Sequence, residues 1–206
     1  MFRTIAYIAC VSASTPVIAQ TAPIPPQPLS GVVVTATRVP QAGSDLPIAI
    51  DRVDGRELTE GRLQTNLSEM LGRVPGIVAQ NRQNYAQDLQ ISVRGFGART
   101  TFGVRGIRLY ADGIPAAMPD GQGQVSHFNL LGGGRVDVLR GPFSALYGNS
   151  SGGVLQVWSA QGHAGDPWRL RLSVGADTTL SVGAQLRGAG RGLDYNIAAH
   201  HFRTDG

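Results

Sequence analysis

Two glycine-rich stretches hold most of the side chains that could meet a small ligand. In residues 95–106, Arg99 and Arg105 offer guanidinium groups and Phe102 a ring. That set suits an anionic or aromatic partner held by charge and stacking. In residues 112–124, Met118 offers a soft apolar contact, and Asp120, Gln122 and Gln124 offer polar ones. Both stretches read as long loops, and loops on a rigid scaffold are where binding residues concentrate. The plainer reading is a pair of solvated surface loops loosened by glycine.

Sets for covalent or metal chemistry are missing from the sequence. His127, His163, His200 and His201 lack zinc-ligand spacing and have no thiolate beside them. His200 and His201 are adjacent in a strand-like run, so they point to opposite faces. Gly95-Phe96-Gly97 and Gly121-Gln122-Gly123 lack the third glycine of a dinucleotide fingerprint, and residues 148–153 have no lysine for a phosphate loop. No Gly-x-Ser-x-Gly elbow occurs. Asp51 and Asp54 sit in a polar stretch that reads as solvated charge. The expectation is a chain that is not an enzyme, with no catalytic residues, no metal site and no cofactor bound by the chain itself.

The elements that must position the loops come from periodicity. The run of residues 135–159 (RVDVLRGPFSALYGNSSGGVLQVWS) reads as strand, Arg-Gly-Pro break, one helical turn, glycine-rich turn and strand. Val136 and Val138 alternate with Asp137 and Leu139, as in a half-buried strand. Pro142 fits a first helical position, and Gly152-Gly153 allow a tight reversal. Residues 47–53, 77–79, 89–93 and 107–110 also read as strands. Between the first two, Asn66 with Glu69 three residues on resembles a capping box. Leu67, Met70, Leu71 and Val74 follow helical spacing, and Pro75-Gly76 stop the helix.

The last part changes character. Leu170, Leu172, Val174 and Ala176 share one face of a strand, with Arg169, Arg171, Ser173 and Gly175 on the other. Residues 179–187 and 193–201 repeat the pattern. Strands of about 10 residues with one apolar and one polar face are the mark of a membrane barrel, although a soluble meander gives a similar pattern.

Composition bounds the setting. Eighteen arginines and no lysine stand against 14 acidic residues, a net charge of +4, which gives little support to nucleic-acid binding. The first 19 residues read as a secretory signal: Arg3, an apolar run, then Val17-Ile18-Ala19. The sole cysteine, Cys10, lies inside it, so the mature chain would have no thiol chemistry. Residues 20–30 read as a stiff proline-rich linker. The β-prone run Val32, Val33, Val34, Thr35 and Ala36 follows. It is either the first strand of the next domain or a docking strand presented for edge pairing.

Taken in order, these segments resemble the TonB-dependent outer-membrane receptors. Residues 66–78 (NLSEMLGRVPGIV), 91–96 (ISVRGF), 109–115 (LYADGIP) and 136–153 are similar to successive plug-domain motifs of that family. Residues 95–108 and 110–124 resemble a subgroup that takes iron complexes or the redox cofactor pyrroloquinoline quinone. The resemblance implies a fold and a division of the chain. Residues 31–160 would be an α+β plug domain, a small mixed sheet with short helices. Residues 161–206 would be the first antiparallel strands of a truncated transmembrane β-barrel.

It also implies a mechanism. The plug closes a barrel of about 22 strands, and a small nutrient complex, such as an iron-siderophore or quinone cofactor, binds its outer loops. TonB, with its inner-membrane energising complex, pulls the box at residues 32–36. Arg94 and Arg140 match the plug arginines that pair with barrel glutamates; each could instead cap its own strand end. The expected location is the outer membrane, in contact with lipid if the barrel were complete. Three wall strands alone would leave open edges in lipid. The alternative is therefore a truncated soluble periplasmic module that binds TonB without transporting.

Overall fold

The computed structural model describes residues 33–34, 41–42, 49–82, 84–85, 88–101, 103–148 and 150–206. The expected signal and linker, together with Val32, Thr35, Ala36 and Phe102, lie outside those residues. In chain order the elements are β1 (Val33–Val34), β2 (Gln41–Ala42), β3 (Ala49–Asp54), α1 (Gly55–Thr59), α2 (Ser68–Leu71), β4 (Ile77–Gln80) and β5 (Gln90–Val93). Then come β6 (Ile107–Ala111), β7 (Ile114–Pro115), β8 (Gly133–Arg140), α3 (Ser144–Tyr147), β9 (Gly153–Ser159), β10 (Arg169–Val174), β11 (Leu180–Gly190) and β12 (Leu193–Arg203).

A five-stranded sheet in the order β3-β8-β9-β6-β7 organises the first part. Its β6–β9 pair is parallel and the other pairs are antiparallel, so the sheet is mixed. Ile107, Leu109, Val136, Val138, Leu155 and Val157 point from it into the main core. Leu58 of α1, Met70 and Leu71 of α2, and Ile77, Ile91 and Val93 of the β4–β5 pair cover them there. Tyr110, Leu139 and Val154 point the other way and pack with Tyr147 of α3 in a smaller cluster.

This layering corrects three sequence expectations. First, β8 is not half-buried: Val136, Asp137, Val138 and Leu139 are all buried, because on its second face Tyr147 of α3 and Phe143 pack with Leu139 while the Arg52 and Arg135 side chains close over Asp137. Second, the helix expected from Asn66 is the single turn α2. The backbone after it tightens, with Arg73 and Val74 donating to the carbonyls three residues back. The predicted contacts of its apolar residues survive, since Leu67, Met70, Leu71 and Val74 are all buried. Third, α3 starts at Ser144, so Pro142 precedes the helix instead of opening it. The glycine reversal stands: Gly153 has φ +139, and a Cβ there would lie 2.1 Å from the Leu139 carbonyl oxygen.

Residues 32–206 belong to one compact unit, and β10-β11-β12 form their own antiparallel sheet within it. Its polarity is the reverse of a soluble sheet. Leu170, Leu172 and Val174 are 66%, 68% and 78% exposed, whereas Ser181 and Gln185 are 1% and 4% exposed. Trp168, Leu186, Leu193 and Ile197 extend the exposed apolar face. No residue of β10–β12 belongs to either described core cluster. Among the described residues, no helix is long and apolar enough to cross a membrane.

Candidate functional site

The two candidate loops are stitched together. Loop 112–124 turns back at Asp112-Gly113, a tight turn with both φ angles positive, and runs along β6 toward loop 95–106. Val104 and Gly123 exchange two main-chain hydrogen bonds of 2.8 Å. The Arg105 guanidinium donates to Gln122 Oε1 at 2.9 Å and lies 3.6 Å from the Asp120 carboxylate. Asp120 also accepts from the Gln122 amide at 2.9 Å, which fixes the loop tip. Arg105, Asp120 and Gln122 thus form one polar cluster. Met118 is exposed beside it, Gln124 is exposed further along, and Arg99 is exposed in a shallow cleft of about 460 Å³ shared with Phe96 and Arg105.

Arg94 and Arg140 converge on one turn. Arg94 and Gly95 have φ +50 and +88 and close a two-residue reversal between Val93 and Phe96. The Arg94 amide donates to the Gly76 carbonyl at 2.8 Å, and the Arg140 guanidinium donates to the neighbouring Pro75 carbonyl at 2.9 Å. Arg140 is also ion-paired with Asp51 at 2.5 Å. Asp51 is therefore a partner in the fold and not the solvated charge that its sequence surroundings suggest; Asp54 is exposed. The Arg94 side chain is exposed and makes no ion pair among the described residues. With Phe96, Gly141, Pro142 and Ser150 to Gly152 it lines a cleft of about 430 Å³.

At the other end of the sheet a buried charge network sits where periodicity suggested none. Asp137, 1% exposed, accepts from Arg52 Nε and Arg135 Nε, both at 3.1 Å. The Arg135 guanidinium lies over the Trp158 ring, 4.7 Å from its centroid. Asp112 accepts from the amide and hydroxyl of Ser159, each at 2.7 Å, and so ties the Asp-Gly turn to the end of β9.

The β10–β12 sheet meets this domain through several polar groups, beside an aromatic contact of Phe202 with Tyr85 (ring centroids 4.7 Å) and the packing of Leu131 on Gly183. Asn196 Nδ2 donates to the Gly132 carbonyl at 2.7 Å, and Asn129 Nδ2 donates to the Ala198 carbonyl at 3.1 Å. Arg171 donates to Thr59, Arg62 and Gln64. Sequence alternation had put Arg171 on the polar face but gave no partner for it. In the connection before β10, Asp166 accepts from the His163 amide at 2.9 Å and lies 3.5 Å from Arg187. The His163 amide, helped by the charges of Arg187 and His163, holds its carboxyl below the usual carboxylate range against partial desolvation. His200 faces Ser181 Oγ at 2.9 Å while His201 is exposed, so the two rings do lie on opposite faces. Among the described residues, no three His, Cys, Asp or Glu side chains gather as metal ligands would.

The order of elements has counterparts among known proteins. A family model described as the TonB-dependent receptor plug domain matches residues 42–154, more than half of the chain. The vitamin B12 transporter BtuB of Vibrio vulnificus is 29% identical over 151 residues, 71% of this chain. The chain spans only 23% of that relative's length. Two solved structures share the fold. The alcaligin outer-membrane receptor FauA of Bordetella pertussis gives a TM-score of 0.65 at 16% identity, over 83% of this chain and 29% of its own. The siderophore receptor PiuA of Acinetobacter baumannii gives 0.59 at 20% identity, over 82% of this chain and 22% of its own. The α+β domain with a mixed sheet and short helices, followed by antiparallel strands, is the arrangement expected from the sequence motifs. The chain belongs to the TonB-dependent receptor plug domain family.

Proposed function

We propose that the chain supplies the plug and the first wall strands of a TonB-dependent receptor in the outer membrane, which takes up a small nutrient complex. The observation that carries this reading is the polarity of β10–β12. Leu170, Leu172 and Ile197 face outward, while Ser181, Gln185 and Asn196 face the plug. Hydrocarbon outside and a polar plug inside make that arrangement favourable; water outside would leave a large apolar patch unpaid. A soluble periplasmic module would have to cover the same face by other means.

In this reading residues 1–19 are a signal, 20–30 a linker, 31–160 the plug and 161–206 wall strands. The cargo is an iron-siderophore or a related cofactor, a class supported by relatives named for vitamin B12 and for siderophores. Its contacts on this chain are Arg99, Phe102, Arg105, Met118, Asp120, Gln122 and Gln124. Arg94 and Arg140 seat the plug. Arg94 is the freer of the two, since Arg140 is already held by Asp51. The chain itself is a transporter component and not an enzyme.

Residues 32–36 are the TonB-docking strand. Val33 and Val34 pair with Ala42 and Gln41 along one edge, and strand pairing at the other edge would be through main-chain groups. Immobilised TonB C-terminal domain is expected to retain the chain. Val33→Pro removes a main-chain donor and is expected to abolish retention. Absence of retention, or retention indifferent to that substitution, contradicts the coupling.

A further inference from the structure

The segment between α1 and α2 is held by one side chain of the first wall strand. Arg171 Nη1 donates to the Thr59 carbonyl and to Gln64 Oε1, each at 2.9 Å, and Nη2 donates to the Arg62 carbonyl. The planar fork of a guanidinium reaches three acceptors set around it; a lysine ammonium has no such fork. Every acceptor is neutral. Among the described residues, no carboxylate is ion-paired with Arg171.

Gln64 is the centre of this arrangement. It is 3% exposed and has φ +61, a left-handed conformation that a non-glycine residue keeps only where its surroundings impose it. Its amide donates to the Glu69 carboxylate at 3.0 Å, as do the amides of Thr65 at 2.7 Å and Asn66 at 3.2 Å. Its Nε2 reaches the Leu130 carbonyl at 3.4 Å. Arg62 Nε also ties the segment back to the Glu57 carbonyl at 2.8 Å, and Gln64 is its buried centre. Between Leu58 and Leu67 it is the one fully buried residue, and Glu60, Gly61 and Leu63 are exposed.

We propose that Arg171 is a latch between wall and plug. Its guanidinium holds residues 59–64 closed around the left-handed Gln64, and release of that fork opens the segment while the mixed sheet stays folded. This rests on reading β10–β12 as wall strands. Neutral acceptors suit a contact that must come apart: opening it leaves no stranded carboxylate, and water can solvate both the guanidinium and the freed carbonyls. A plug tied to its wall by carboxylates would hold more firmly and release at greater cost.

The test is amide hydrogen exchange on the chain in detergent micelles. Arg171→Ala should speed exchange at residues 61–66 by about tenfold or more, with β8 and β9 amides unchanged within about twofold. Arg171→Lys should fall between Ala and the native chain. Arg171→Ala and Gln64→Ala together should speed exchange by less than the product of their separate effects, because the two share the Arg171–Gln64 hydrogen bond while Gln64→Ala also removes the contact to the Leu130 carbonyl. Unchanged exchange at 61–66 would overturn the latch. So would an equal rise in β8 and β9, which would make Arg171 a general structural residue, or full retention by lysine, which would make charge alone sufficient. Lipid contact by Leu172 is measured separately, so the latch and the wall reading fail independently.

Discussion

Asp137 shows how much of a site a single buried carboxylate can organise. Two arginine Nε–H groups converge on it, and one of those guanidiniums stacks on Trp158. Removing the carboxylate strands two cations that are only partly solvated. Asp137→Ala is expected to cost roughly 3 kcal/mol of stability, and Asp137→Asn roughly half of that because one acceptor remains. Urea unfolding of the two variants checks this; a loss under about 0.5 kcal/mol for Asp137→Ala would mean that water already solvates both arginines. Nothing in the alternation around Asp137 revealed its burial, because periodicity reports which face a residue is on and not what covers that face. The same limit applies to Gln64, whose positive φ has no sequence signal, and to Arg171, whose face was legible and whose acceptors were not. Arg94-Gly95 and Asp112-Gly113 do carry a local signal: a glycine at the second turn position supplies the second positive φ that a two-residue hairpin needs.

The elements read most securely are those with many repeats of their own period. β11 and β12, of 11 residues each, stand nearly where expected, although Ala198 and Phe202 interrupt the polar face of β12. α1 was missed because five residues with one buried side chain, Leu58, carry no helical period. α2 was legible as a start but not as a length: Asn66 and Glu69 supply the capping contacts, with Asn66 Oδ1 accepting from the Ser68 amide at 3.1 Å. The connection leading into β10 carries a pH prediction. The Asp166 carboxyl is depressed by the His163 amide, so its contribution is complete above the ordinary carboxylate range and is lost as pH falls through the lowered value. Its carboxyl carbon shift should therefore titrate below a free aspartate, and the His163 amide should lose protection over the same interval. A midpoint at or above that of a free aspartate would contradict the contact.

At the scale of the molecule, two sheets with opposite polarity share one chain. The first buries apolar residues on both faces; the second exposes them and turns serine, glutamine, asparagine and arginine toward the first. Alternation alone left a soluble meander and a membrane wall equally possible, since both have period two. Burial supports the proposed wall, because the apolar residues of β10–β12 join neither core cluster among the described residues. Leu172→Arg is expected to destabilise membrane-inserted protein by about 2–4 kcal/mol. The mixed sheet, whose core contains no Leu172 contact, should keep its exchange protection.

Lipid-phase quenching tests the wall reading most directly. Single cysteines at 172, 186 and 197, and at 181 and 185, in a Cys10→Ser background would carry an environment-sensitive fluorophore in vesicles containing quencher-labelled lipid. The account predicts strong quenching at Leu172, Leu186 and Ile197 and weak quenching at Ser181 and Gln185. Equal quenching on both faces, or none on either, would contradict it.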